Sequence, residues 1–276
     1  MEINIRIVIE KTQYIVFSVL TFPRRLCYTD KARPLWGYLL CEKVEETLMN
    51  VQGYQKLTLL DYPGRTACTV FTGGCNLRCP FCHNAGLVRT PMAGPNLTDE
   101  VLDYLQKRRG ILDGVCVTGG EPLLQPDLID FLSRVKAMGY AVKLDTNGML
   151  PGRLAAVLAT NLVDYVAMDI KSSPDGYPAA TGTDALVSAV SDSLSILRDS
   201  GIPYELRTTA VGGLHTEADF AAIGAWIGDV PSYFIQRFVD SGQLLGSGFY
   251  AFSPEEMGHL LTTVREYVPS AQLRGV

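Results

Sequence analysis

The stretch Thr66-Ala-Cys-Thr-Val-Phe-Thr-Gly-Gly-Cys75-Asn-Leu-Arg-Cys79-Pro-Phe-Cys82 decides how the rest of the chain is interpreted. It begins with the short apolar run of a buried strand, and two glycines lead from that run into three cysteines. The cysteine spacing, C-x3-C-x2-C, would also suit one face of a helix. Pro80 would interrupt such a helix, because proline removes a hydrogen bond and clashes with the preceding turn. A loop that gathers three thiols is therefore favoured.

Three thiolates are one ligand short of a closed metal site. Structural zinc has four ligands, and iron–sulfur cubanes are normally held by four cysteines. A zinc knuckle would need a second C-x2-C unit, which the chain lacks, and His83 directly after Cys82 is poorly placed to reach the same tetrahedral ion. A cubane held by three cysteines leaves one iron free for a small molecule. The spacing therefore predicts a catalytic [4Fe–4S] cluster on Cys75, Cys79 and Cys82.

Composition and charge exclude several classes of protein. The chain has 276 residues, 47% of them hydrophobic and 19% charged, as expected for a globular protein with a sizeable core. The net charge is -5 and no Lys/Arg run is present, which argues against nucleic-acid binding. The longest apolar run near the N-terminus, about Tyr14 to Phe22, is too short to span a bilayer. Seven cysteines, three of them clustered, indicate a reducing cytoplasm rather than a disulfide framework.

From Thr66 onward, short apolar runs alternate with longer amphipathic ones. Strands are predicted at Thr66–Thr72, Leu112–Thr118, Tyr140–Asp145, Val163–Asp169, Tyr204–Val211 and Ser232–Phe238. Helices are predicted near Asp99–Arg109, Pro126–Met138, Arg153–Thr160, Asp184–Ser200, Glu217–Ile227 and Pro254–Tyr267. Six strand–helix units imply a parallel sheet with right-handed crossovers. The predicted fold is α/β, a partial (β/α)6 TIM-like barrel.

Residues 1–48 do not follow this alternation. Ile3–Glu10 alternates like a strand, but nothing nearby completes a strand–helix unit. The next methionine after Met1 is Met49, which leads directly into the regular part of the chain. We therefore expect a functional domain at 49–276. Residues 1–48 are either an N-terminal extension or the product of a misassigned start site.

Polar residues gather where the predicted strands end, the edge at which parallel barrels carry their chemistry. The second strand leads into Gly119-Gly120-Glu121, where the glycines allow close backbone approach and Glu121 can accept a hydrogen bond from an amine. The third leads into Asp145-Thr-Asn-Gly148. Each segment alone would also suit an ordinary turn or a helix-capping sequence.

The fourth and fifth strands carry charges on one face. Strand alternation puts Asp169 beside Lys171, and Glu205 beside Arg207. An arginine in a buried strand is costly unless it is paired, so Arg207 is predicted to face a polar cavity. An isolated Asp–Lys pair would also fit an exposed surface. Because five consecutive strands deliver polar groups, we predict a pocket for a zwitterionic ligand beside the metal cluster.

These motifs carry a family resemblance. Cys75-x3-Cys79-x-Phe81-Cys82 followed by Gly-Gly-Glu-Pro resembles the radical S-adenosylmethionine (SAM) superfamily. The chain resembles more narrowly the glycyl-radical-enzyme activases, and among them those of anaerobic ribonucleoside-triphosphate reductase. The motifs of this narrower resemblance are Asp61-Tyr-Pro-Gly, Cys79-Pro-Phe-Cys-His83-Asn84, Asp145-Thr-Asn-Gly and Met168-Asp-Ile-Lys171. The resemblance covers about Met49 to Val276.

The resemblance implies a radical SAM core in which SAM chelates the fourth iron of the cluster. Gly119, Gly120 and Glu121 would hold the methionyl amine, and Lys171 and Arg207 would lie near the carboxylate or ribose. Phe81 and the His83 backbone would flank the adenine, and Asp145, Thr146 and Asp169 would hold a monovalent cation. Gln236 lies near the position where some relatives have a SAM-contacting histidine. No catalytic side chain is implied beyond the cluster and cofactor.

The activity implied by the resemblance is reductive cleavage of SAM to a 5′-deoxyadenosyl radical, which installs a glycyl radical on a partner enzyme. The implied partners are an anaerobic ribonucleotide reductase and a flavodoxin or ferredoxin electron donor. A radical SAM enzyme for a small molecule or peptide, and a non-enzymatic electron carrier, are the alternatives. Cys68 and Cys116 stand singly in strand patterns, like ordinary buried thiols, which disfavours additional clusters. His215 and His259 are expected at the surface or in helices rather than as ligands.

Overall fold

The structure is a computed structural model that describes residues 6–8, 14–18, 26–30, 49–89 and 95–276. The chain divides into two compact units, Met1–Thr47 and Leu48–Val276. The first contains a three-stranded antiparallel sheet of β1 (Arg6–Val8), β2 (Tyr14–Ser18) and β3 (Leu26–Asp30). The strand predicted within Ile3–Glu10 is thus present in its central part. The role of this unit and the start site stay predictions.

The second unit is an eight-stranded sheet with helices on one face. In chain order the strands are β4 (Val51–Thr58), β5 (Ala67–Thr72), β6 (Gly114–Gly119), β7 (Ala141–Thr146), β8 (Tyr165–Asp169), β9 (Tyr204–Ala210), β10 (Tyr233–Arg237) and β11 (Ala271–Arg274). The helices are α1 (Ala85–Arg89), α2 (Thr98–Lys107), α3 (Leu128–Ala137), α4 (Pro151–Leu158), α5 (Tyr177–Thr181), α6 (Val187–Asp199), α7 (Glu217–Ile227) and α8 (Pro254–Arg265). A 3-10 turn spans Pro122–Leu124.

The sheet order is the chain order, from β4 at one edge to β11 at the other. Strands β5 to β11 are parallel, and β4 is antiparallel to β5. The predicted strands correspond to β5–β10, so the partial α/β barrel is confirmed. The sequence patterns did not predict the two edge strands or the short helices α1 and α5.

Strand alternation gives the sheet two different faces. One face contributes Val70, Val117, Leu144, Met168 and Leu206 to the main hydrophobic core, where they pack with apolar residues of the helices. The residues between them, on the opposite face, are largely polar.

Two helices begin at capping sequences. Helices α7 and α8 each start with a capping box, formed by Thr216 with Asp219 and by Ser253 with Glu256.

In the described part of the chain, no helix combines the length and the apolar character that crossing a membrane requires.

Candidate active site

The three cysteines lie in the loop between β5 and α1, at the carboxyl end of the parallel strands. Backbone hydrogen bonds hold this loop on both sides. Gly74 N donates to Leu87 O at 3.0 Å, and Arg78 N donates to Thr181 O at 2.8 Å. The Arg78 carbonyl lies against Gly182, where any side chain would overlap it. The end of α5 therefore fixes the middle of the cysteine loop.

The cysteine thiols share one small apolar cluster, separate from the main core. Cys79 is buried in it, and the partly buried Cys75 and Cys82 pack against it. Its other buried members are Leu77, Phe81, Ala180, Val211 and Phe238. All three thiols are free. Burial raises the pKa of Cys79 to about 11 and also raises the pKa of Cys75, so metal binding at these two residues has to release their protons.

The turn that follows β6 packs directly on the start of the cysteine loop. Gly120 N donates to Thr72 O at 2.9 Å, and Glu121 N donates to Gly74 O at 2.8 Å. A side chain on Gly120 would overlap the Gly74 carbonyl, and Gly119 has a φ of 118°. In this structure the backbone that packs closely against these two glycines is therefore that of the cysteine loop. Their contact with a ligand stays a prediction.

Glu121 joins the ends of β6 and β7. Its side chain is fully buried, and one carboxylate oxygen accepts hydrogen bonds from Leu123 N at 3.0 Å and Thr146 Oγ1 at 2.9 Å. The other oxygen accepts from Asn147 N at 2.7 Å. Burial raises the pKa of Glu121 to about 7, although the three donors act in the opposite direction.

Charged side chains of β7, β8 and β9, together with Lys171 just after β8, form one chain of ion pairs. Asp145 accepts from Lys143 Nζ at 2.5 Å and from Arg207 Nη1 at 3.1 Å. Asp169 accepts from Arg207 Nε at 2.8 Å and from Lys171 Nζ at 2.9 Å. Burial alone would raise the pKa of both carboxyl groups, but the cations around them lower it. Arg207 is thus paired with two carboxylates, and the polar cavity that it is predicted to face stays a prediction.

A second set of charges extends this network along β9. Glu205 accepts hydrogen bonds from Arg274 at 3.1 and 3.2 Å and from the Tyr165 hydroxyl at 3.2 Å. The sequence patterns placed Glu205 on the same face as Arg207 but missed Lys143 and Arg274. Strand alternation with Asp145 would have identified Lys143. Arg274 lies in a strand that the sequence did not predict.

His215 is buried just before α7, so the expectation of a surface or helical position is wrong for this residue. Its Nδ1 accepts from Val211 N at 3.1 Å, which leaves the proton on Nε2 to be donated to the Lys171 carbonyl at 3.0 Å. Its ring packs edge-on against Phe81 of the cysteine loop. His215 therefore links the cysteine loop to the end of β8. His259, as expected, is exposed on α8.

Residues 69–227 match the family model of the radical SAM superfamily. The chain belongs to this superfamily. Among solved structures, the crystal structure of methylornithine synthase aligns with a TM-score of 0.57 at 15% identity, covering 75% of this chain and 63% of that one. At this identity the likeness shows the fold alone.

Two curated relatives place this radical SAM enzyme near the activases. A Methanocaldococcus jannaschii protein assigned as a glycyl-radical enzyme activating enzyme is 30% identical over 195 residues, which are 68% of this chain and 79% of the relative. The pyruvate formate-lyase-activating enzyme of Clostridium pasteurianum is 38% identical over 140 residues, 48% of this chain and 57% of the relative. The radical SAM enzyme described here is related to glycyl-radical enzyme activating enzymes.

Membership of the radical SAM superfamily implies a [4Fe–4S] cluster and SAM, and the cysteine loop fits such a cluster. Across residues 49–89 and 95–276, no three His, Cys, Asp or Glu side chains are arranged to hold one metal ion. In a [4Fe–4S] cubane each cysteine binds a different iron atom, so the three thiols do not have to meet at one metal ion. Three free thiols in one apolar cluster therefore suit a cubane better than a single zinc ion. Cys75, Cys79 and Cys82 stay its predicted ligands.

The residues that resemblance assigns to SAM lie on different elements around the cysteine loop. Phe81 is buried against His215, and His83 is exposed with its ring 5.6 Å from that of Phe238. Gln236 is partly buried on β10, in register with Thr209 of β9. The remaining ones are Gly119, Gly120, Glu121, Asp145, Lys171 and Arg207, described above. Their contacts with SAM stay predictions.

The predicted monovalent-cation site meets a constraint in this structure. Lys143, Arg207 and Lys171 already engage the carboxylate oxygens of Asp145 and Asp169. The Thr146 hydroxyl points to Glu121 instead. A cation bound at these residues would share the carboxylates with the ammonium and guanidinium groups, and the cation site stays a prediction.

Proposed function

We propose that this protein is a glycyl-radical-enzyme activase whose partner is an anaerobic ribonucleoside-triphosphate reductase. The observation that carries the proposal is the alignment with the M. jannaschii protein, which extends over most of both chains. The assignment to the reductase rests on the finer motif resemblance, including Asp61-Tyr-Pro-Gly and Met168-Asp-Ile-Lys171. The reaction would take place in the cytoplasm, with flavodoxin or ferredoxin as electron donor.

Each part of the site has a proposed task. The cysteine loop holds the cluster, which together with SAM supplies radical chemistry through the 5′-deoxyadenosyl group. The charged residues are proposed to orient the amino, carboxylate and ribose groups of SAM; they are Asp145, Asp169, Lys171 and Arg207. Because ion pairs already restrict these side chains, they lose little additional conformational entropy when a zwitterion binds.

The first experiment tests the radical SAM activity. Anaerobically reconstituted protein is reduced and mixed with SAM, and 5′-deoxyadenosine is measured by chromatography. Cys79→Ser should lose the cluster absorbance and at least about 90% of the product, because the ligand is removed. The matched control is Cys68→Ser, at a buried thiol of the main hydrophobic core in β5 outside the cysteine loop, which should retain both. No product from the wild-type protein would contradict both enzymatic hypotheses.

The second experiment tests the partner. The reduced protein and SAM are incubated with an anaerobic ribonucleotide reductase or, separately, with pyruvate formate-lyase, and a glycyl radical is sought by electron paramagnetic resonance. We expect the radical on the reductase only. A radical only on the lyase would reject the proposed partner but keep the activase. Cleavage of SAM with no radical on either protein would favour a small-molecule or peptide substrate.

A further inference from the structure

Asn147, the residue after β7, reaches the cysteine loop with its side chain. Its Nδ2 lies 2.8 Å from Asn76 Oδ1 and 3.9 Å from Cys75 Sγ. Its Oδ1 accepts a hydrogen bond from Met149 N at 3.0 Å. A backbone N–H can only donate, so Oδ1 must face Met149 and the amide NH2 must face Asn76 and Cys75. The orientation of the amide is therefore determined by its surroundings.

The backbone around Asn147 is held from several sides. Asn147 N donates to Glu121, and the Gly148 carbonyl accepts from Ser193 Oγ at 2.6 Å. Gly148 has a φ of 74°, and a side chain there would collide with Met168. Asn147 itself is buried, 5% exposed. These contacts hold the backbone that carries the side chain, and the hydrogen bond from Met149 N holds the amide itself.

We propose that Asn147 is a positioning residue that donates a hydrogen bond to the Cys75 sulfur and raises the reduction potential of the cluster. The reduced cluster carries one more negative charge than the oxidised cluster, so an N–H donor at a ligand sulfur stabilises the reduced form more. Leu77 N, 3.4 Å from the same sulfur, is a second donor. In a buried site each donor counts for more than it would in water.

The proposal concerns how easily the cluster accepts one electron from an external low-potential reductant. It rests on the cluster being held by the three cysteines, and it does not depend on which protein the enzyme activates. Failure of the partner assignment would therefore leave it intact.

The test is a redox titration of the reconstituted cluster, followed by electron paramagnetic resonance in the absence of SAM. Asn147→Asp keeps the oxygen that accepts from Met149 but replaces the NH2 donor with a negative charge. We expect its midpoint potential to move negative by about 59 mV or more, which is a tenfold fall in the equilibrium constant for one-electron reduction. Asn147→Leu, which removes the donor without adding charge, should shift it in the same direction by less.

The matched control is Asn161→Asp, the same chemical change at an exposed position after α4. Its midpoint should equal that of the wild-type protein. Iron content and circular dichroism show which variants retain cluster and fold. Wild-type midpoints in Asn147 variants that retain the cluster would overturn the proposal.

A second measurement needs no variant. Wild-type protein is labelled with asparagine carrying 15N in the side-chain amide, and pulsed electron paramagnetic resonance is recorded on the reduced cluster. We expect a 15N hyperfine coupling, because Nδ2 of Asn147 donates to a ligand sulfur. Absence of that coupling would overturn the proposal even if the Asn147 variants could not be isolated with cluster.

Discussion

His215 is a buried neutral histidine whose two ring nitrogens both have backbone partners, Val211 N and the Lys171 carbonyl. Burial lowers its pKa below the ordinary value of 6.5, since the charged ring would have to be desolvated. Protonation at Nδ1 would also remove the acceptor for Val211 N. His215 must therefore be neutral to keep both backbone hydrogen bonds, which hold its ring between the end of β8 and the cysteine loop.

This requirement predicts a pH dependence of stability. As pH falls below about 6.5, the unfolded chain takes up the proton before the folded chain does, so the free energy of unfolding decreases until the lowered folded pKa is passed. Urea unfolding of the wild-type protein and of His215→Asn should be compared at pH 7.5 and 5.5. The variant should lose less stability over this interval.

His259→Asn, at an exposed position of α8, is the control and should lose as much stability over this interval as the wild-type protein. Equal losses in the wild-type protein and His215→Asn would contradict the assignment. The sequence did not indicate this role, because a single histidine before a helix has no spacing that distinguishes a buried residue from an exposed one.

At the level of elements, backbone hydrogen bonds join the start of the cysteine loop to the turn after β6. Thr72, Gly74, Gly120 and Glu121 exchange backbone hydrogen bonds there. No side chain fits between the two segments at Gly120. The position of the cysteine loop relative to the rest of the sheet therefore depends on this contact.

Gly120→Ala should destabilise the protein by about 2 kcal/mol, because the added methyl group forces two tightly packed backbones apart. Cluster retention after gel filtration should fall with it. Thermal unfolding and iron content are the measurements.

The matched control is Gly152→Ala in α4, where nothing lies close to the added carbon. It should leave both properties unchanged or raise stability by about 0.5 kcal/mol. Equal behaviour of the two variants would contradict the role of this backbone contact.

Strands and helices with a clear hydrophobic pattern could be predicted from the sequence, whereas the two edge strands and the shortest helices could not. β5 to β10 have apolar runs because they lie in the interior of the sheet, with helices packed on one face. β4 pairs with only one strand, contains irregular register and exposes residues 55–57, so its sequence lacks such a run. β11 has four residues and α5 has five, which is too short for a recognisable period.

On the scale of the whole molecule, the barrel-like sheet has an apolar face toward the helices and a charged face on the other side. The charges on the second face are paired rather than isolated, since an unpaired buried charge would be strongly destabilising. Glu205 is central to this arrangement, because Arg274 lies 3.1 Å from it and Arg207 lies 4.0 Å from it. Its side chain is 1% exposed.

Glu205→Gln should therefore lower the free energy of unfolding by about 3 kcal/mol, because it removes the buried carboxylate that pairs with Arg274 and leaves Arg207 with Asp145 and Asp169 only. The measurement is urea unfolding at pH 7.5. Glu266→Gln, the same change at an exposed position, should be close to neutral. A loss equally small in both variants would show that solvent, rather than Glu205, compensates Arg274.

The sequence by itself determined the alternating α/β architecture, the cysteine loop and the charged strand ends. These features depend on local periodicity and spacing, which a single chain displays directly. Only the tertiary structure decided which polar groups meet. The Asp145–Arg207 pair, the link from His215 to Lys171 and the contact between Asn147 and Cys75 join residues distant in sequence. Their geometry follows from strand register and loop packing, which local patterns do not specify.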